Sequence, residues 1–111
     1  MAAGRNTWNR LIARHGRTAE LIRLGDTSDT TVSVKMMRRY AEEDKLEHEI
    51  SQQDAWFVVS YTDLIATSWS GAPQKNDRVK IDDQYFTVFL VEPKSSHGEM
   101  VGYQLRCTGG G

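Results

Sequence analysis

Three histidines, His15, His48 and His97, and a single cysteine, Cys107, carry most of the reactive chemistry that this chain could offer. A zinc site needs two histidines one helical turn apart, or a histidine close to a second ligand type. None of the three has such a neighbour, and one cysteine excludes a thiolate zinc site. His97 lies in a Ser-Ser-His-Gly turn and reads as a solvated surface residue, and His48 sits in a charged run with the same reading. Cys107 cannot close an internal disulfide. Nothing near it in sequence would lower its pKa, so it reads as a small apolar residue at a strand end. That usage fits synthesis in a reducing, intracellular setting.

The acids are more numerous but no better arranged. Glu42, Glu43, Asp44, Glu47 and Glu49 sit with Arg38, Arg39 and Lys45, and a charge run of this kind is usually a solvated face. Working carboxylate pairs need one dry and one wet environment, and this run has no apolar pocket for the dry partner. Asp82-Asp83 reads as a hairpin turn. Gly25 and Gly71 are isolated, and no glycine-rich phosphate loop is present. The expectation is a chain that is not an enzyme and holds no cofactor or metal.

Aromatic residues suggest a different chemistry. Trp56, Phe57, Tyr85, Phe86, Phe89 and Tyr103 all fall on predicted strands. A barrel that binds single-stranded nucleic acid would interleave such rings with Lys and Arg on one exposed face. Here Arg78, Lys80 and Arg106 are the only basic neighbours, so core packing is the better account. A small barrel binding single-stranded nucleic acid or a small ligand remains the alternative. Overall charge agrees with the first reading: 14 basic and 15 acidic residues give a net charge of -1, without the basic excess of a dedicated nucleic-acid binder.

The elements that must position these side chains are short and mostly β. Residues 7–15 read as a helix, with Trp8, Leu11 and Ile12 at i, i+3 and i+4 on one face, Asn6 or Thr7 as cap and Gly16 at the C-cap position. A helix this short must dock to be stable. Residues 18–24 and 31–36 form a predicted hairpin, and Val32, Val34 and Met36 alternate with polar neighbours. Residues 55–61 are apolar on both faces and read as a central strand, followed by one helical turn at 62–66. Strands over 77–81, 85–91 and 99–107 complete a meander, with turns at Asp82-Asp83 and at residues 92–98.

Residues 37–54 stand apart. Their residue types favour helix, yet Tyr40, Ala41, Leu46 and Ile50 make too thin an apolar stripe to bury. The two readings are a stable helix and a long exposed excursion between strands, and the thin stripe favours the excursion. Trp8 and Trp69 lie outside the strongest strands, where each either plugs an end of the core or serves at a subunit contact.

One domain over residues 1–111 follows, with flexible segments at 1–6, 37–54 and 108–111. The fold class is mainly β: a small antiparallel β-sandwich or partly open barrel with a short N-terminal helix and a long mobile loop. The N-terminus lacks the apolar region of a signal peptide and no apolar run could span a bilayer. A soluble protein is expected.

The order of features resembles the head-tail joining (head-completion, or stopper) proteins of tailed bacteriophages. Residues 11–21, LIARHGRTAEL, are similar to the family's entry of short helix, glycine and first strand. Residues 57–64, FVVSYTDL, look like its central strand and helical turn. Residues 73–88, PQKNDRVKIDDQYFTV, resemble its pattern of proline, Asp-basic-Val strand, tight turn and Tyr-x-Val return, and residues 91–106 resemble its final hairpin. The likeness spans residues 8–107. Asn76 and Asp83 stand where the family often has glycine, at positions where φ > 0 would be expected.

The resemblance implies a structural protein of the virion neck, assembled in the host cytoplasm. It would be a monomer when free and a homo-oligomeric ring in the virion. The ring would lie between the portal and its adaptor above and the tail terminator or tail tube below. It would close the DNA exit channel, with non-specific contact to packaged DNA and none to a membrane. A tail terminator or another neck subunit is the nearest alternative. By the same resemblance Arg38, Arg39, Tyr40, Lys45 and Leu46 belong to a loop that lines the channel or touches the adjacent subunit. Trp8, Leu11, Ile12 and Trp69 are the packing or interface residues.

Overall fold

The structure, a computed structural model, describes residues 3–39 and 54–109. It is mainly β. Helix α1 (Ala3–His15) precedes β1 (Arg17–Arg23), β2 (Thr30–Arg39) and β3 (Asp54–Ser60). A single helical turn, α2 (Tyr61–Ile65), leads to β4 (Arg78–Ile81), β5 (Gln84–Ser96) and β6 (Glu99–Gly109). All neighbouring strands are antiparallel, and the sheet closes on itself in the order β1-β2-β3-β6-β5-β4. The expectation of a sandwich or partly open barrel thus resolves to a closed six-stranded barrel.

Alternation along each strand builds the core. Ala19 and Leu21 on β1, Val32, Val34 and Met36 on β2, and Phe57 and Val59 on β3 all point inward and are buried. Val79, Phe86, Val88, Leu105 and Cys107 complete the lining. Phe57 and Phe86 meet edge to face, with centroids 5.1 Å apart, the arrangement that the ring quadrupole favours.

One end of the barrel is plugged. Ser60 ends β3 and caps α2, its Oγ accepting from the Asp63 N–H at 3.2 Å while donating to Asn9 Oδ1 on α1. The cap of this turn is therefore Ser60, one residue before Tyr61. The turn of helix drops Leu64 into the core, and the following loop adds Trp69.

Helix α1 lies across the outer wall of β2, β3 and β6. Ile12 is buried and Trp8 is half-buried, but Leu11 is exposed, so the predicted three-residue face is a two-residue one. The Trp8 indole N–H donates to Val59 O at 3.2 Å. It can do so because Gly102 lies beneath: a Cβ there would stand 2.9 Å from Trp8 Cε2 and collide with Val59 O.

Several boundaries differ from the sequence expectation. Helix α1 begins at Ala3 and not at residue 7, and β6 runs to Gly109 and not to residue 107, so residues 3–6 and 108–109 of the segments expected to be flexible belong to elements. Residues 37–39 belong to β2, pairing with Val58, Phe57 and Trp56, and not to the charged excursion. Residues 92–96 continue β5, so the turn is His97-Gly98 alone, both with φ > 0. Beyond Val88, β5 pairs only with β6, and Pro93, which has no N–H, sits on that outer edge where it breaks no ladder. Asn76, Asp82 and Asp83 all take positive φ, as short polar side chains tolerate. No described helix is long and apolar enough to cross a membrane.

Candidate functional site

The two ends of the barrel differ in chemistry. At the plugged end Arg23 and Asp77 form a two-bond fork, Nε to Oδ1 at 3.0 Å and Nη2 to Oδ2 at 2.9 Å. Asp77 Oδ2 also accepts the Gln74 N–H at 2.7 Å, and Arg23 Nη2 also donates to Ala72 O at 3.1 Å. The guanidinium stands 4.6 Å above the Trp69 ring. Hydrogen bonding to Asp77 raises the Arg23 pKa against the opposing pull of desolvation. The Arg23–Asp77 fork and its bonds to Gln74 and Ala72 hold the loop before β4 against β1 and close the barrel. Trp69 is buried there, within the core cluster.

The other end gathers the start of β1, the end of β2 and the start of β3, and residues 40–53 join β2 to β3 there. A cleft of about 210 Å³ opens at this end, lined by His15, Arg17, Met36, Arg38, Phe57 and Asp82 among others. Arg38 follows Met36 in the inward alternation. Its guanidinium lies 5.7 Å from the Phe86 centroid and 5.9 Å from that of Phe57, over the core pair with its stem among apolar atoms. Arg17 pairs with Asp82 at 3.2 Å on the exposed rim.

Arg39, the next residue, turns outward. Its Nη1 donates to Gln104 Oε1 at 3.0 Å, and Gln104 Nε2 donates to Glu92 Oε1 at 2.8 Å. Lys94 and Arg106 flank Glu92 at 3.7 and 4.0 Å. This lattice ties β2, β6 and β5 across the outer wall. Gln104, on the outer side of β6 by alternation with the inward Leu105 and Tyr103, is nonetheless buried beneath this lattice. Sequence gave no sign of Gln104 or Glu92 as a pair, because their meeting depends on the β5–β6 register.

Of the predicted loop residues, Arg38 and Arg39 are thus strand residues on opposite faces of one wall. Tyr40, Lys45 and Leu46 lie outside the described residues, as does His48. Tyr85 and Phe89, read as core, are instead exposed at 46% and 39%. Tyr85 faces out by alternation, and Phe89 sits at a β-bulge between Val88 and Leu90.

Burial pushes the Cys107 thiol up to about 12, which holds it neutral inside the barrel. Burial, with Tyr61 nearby, also raises the Tyr103 hydroxyl. Among the described residues no three His, Cys, Asp or Glu side chains come close enough to hold a metal.

No family model, curated protein or solved structure matches the chain.

Proposed function

We propose that this chain is a structural subunit of a tailed-bacteriophage neck: a head-tail joining protein that forms a homo-oligomeric ring, closes the DNA exit channel and links the portal and its adaptor to the tail. The observation that carries the reading is the asymmetry of the barrel. One end is plugged by Leu64 and Trp69 and locked by Arg23–Asp77. At the other, Arg17 and Arg38 line a cleft where the long charged connection 40–53 begins and ends.

A rigid wall that delivers a charged segment to one place suits a subunit whose work is contact and not turnover. Repetition around a ring would multiply each weak contact, because every copy after the first binds at high effective concentration. Cations facing a DNA channel would release counterions from the phosphate backbone. The element order supports the same reading: helix and Gly16 before the first strand, a central strand running into a helical turn, an Asp82-Asp83 turn, and a final hairpin.

Mixing the purified chain with DNA-filled, tailless heads and with free tails tests this. The neck role predicts co-sedimentation with heads. Binding to the tail tube alone would indicate a terminator, and binding to neither would reject both.

A further inference from the structure

We infer that the outer wall built by β4, β5, β6 and β3 is a binding surface for a single nucleic-acid strand, independent of the neck assignment. Three of the six rings expected in the core, Trp56, Tyr85 and Phe89, are on this wall. Tyr85 is paired with Lys80, whose ammonium lies 5.5 Å from the ring centroid. Trp56 is paired with Arg106, whose guanidinium lies 4.4 Å from the ring. Leu90 and the bulged Phe89 stand beside Arg106 on the neighbouring strand, 40% and 39% exposed.

Register places these groups on one continuous face. Lys80–Tyr85, Arg78–Thr87–Thr108 and Leu90–Arg106–Trp56–Arg39 are successive cross-strand rows. The alternation that buries Val79, Phe86, Leu105 and Phe57 sends all of them outward. The result is rings interleaved with cations, the arrangement that stacks unpaired bases while tracking their phosphates.

Charge argues for a polyanion. Arg39, Arg78, Lys80 and Arg106 face outward here, set against Glu92, which is bound to Gln104, with Glu20 opposite Lys80 and Asp54 opposite Thr108 in the register. A chain with net charge -1 thus sets cations beside its exposed aromatics on this wall. An unstacked strand uses both features. A duplex, whose bases are already stacked, can use only the cations.

The test is fluorescence anisotropy of a labelled oligo-dT, alone and as a duplex of equal length, titrated with the full chain at low and moderate salt. The expected result is tighter binding of the single strand, weakening steeply with salt. Tyr85→Ser and Phe89→Ser should each weaken it by about tenfold with unchanged thermal melting, since both side chains are exposed. Arg78→Gln should lower the log–log salt slope by about one. Equal affinity for duplex and single strand, unchanged affinity in both aromatic variants, or no binding at low salt would overturn the inference. Absence of binding would leave the wall as a protein-contact surface.

Discussion

Arg23 and Asp77 meet through two parallel hydrogen bonds, 3.0 and 2.9 Å long, across a separation of 54 residues. One sits at the end of β1, the other just before β4, and the β1–β4 seam is the one that closes the barrel. Asp77 is almost wholly buried, with its side chain 4% exposed. Removing either partner strands the other in a poorly solvated place.

Asp77→Ala should therefore cost about 3 kcal/mol in urea unfolding. Asp77→Asn keeps an acceptor oxygen and should cost less. Equal stability of Asp77→Ala and the wild type would show that the seam closes without this pair.

Gly102 and Trp8 make the second test. A side chain at 102 displaces the indole and with it the docking of α1 on β3 and β6. Gly102→Ala should destabilise by about 2 kcal/mol. In a Trp8→Ala background the same change should cost clearly less, because the two share one contact. Additive effects in a double-mutant cycle would contradict this.

Cys107 supplies a pH dependence. Its thiol is raised from 9.0 to about 12 in the folded barrel, so above pH 9 the unfolded chain loses this proton while the folded chain keeps it. Unfolding then becomes easier as pH rises, by up to about 1.4 kcal/mol per pH unit, until the folded thiol also titrates. Below pH 9 this contribution is fully present. Wild type should lose stability between pH 9 and 11 faster than Cys107→Ala. Thiol reagents should label the native protein only at its unfolding rate.

Asp83 occupies a left-handed turn position, with φ 66°, and it takes no part in the Arg17–Asp82 pair. Asp83→Gly should raise stability by about 0.5 kcal/mol, a relief of backbone strain partly offset by the greater freedom of glycine in the unfolded chain. A melting temperature below that of wild type would show that the Asp83 side chain has a stabilising role of its own.

Much of the fold was legible because period-2 alternation in β2 and β4 reports directly on burial. Legibility failed where one side chain carries two kinds of surface. Arg38 and Arg39 read as loop because they are charged, yet the Arg38 guanidinium lies over the Phe57–Phe86 pair and Arg39 bonds to Gln104. Pro93 read as a turn because a proline in a central strand would break a ladder, but the outer edge of β5 has no partner strand there. Phe89 read as core because it is apolar, and only the bulge takes it out of alternation. Leu11 shares a helical stripe with Ile12 in sequence, but α1 rests on its Trp8–Ile12 line. At the candidate site, the inward and outward arginines became distinct only once β2 was seen to run to Arg39.

The account rests on the claim that this barrel acts by sealing a DNA-filled head. The direct measurement is nuclease accessibility of DNA in filled, tailless heads before and after addition of the purified chain. Wild type should render the DNA protected and the heads competent to join tails, while an Arg38→Ala, Arg39→Ala variant should bind heads yet leave the DNA accessible. DNA equally accessible with and without the wild-type chain would contradict the account.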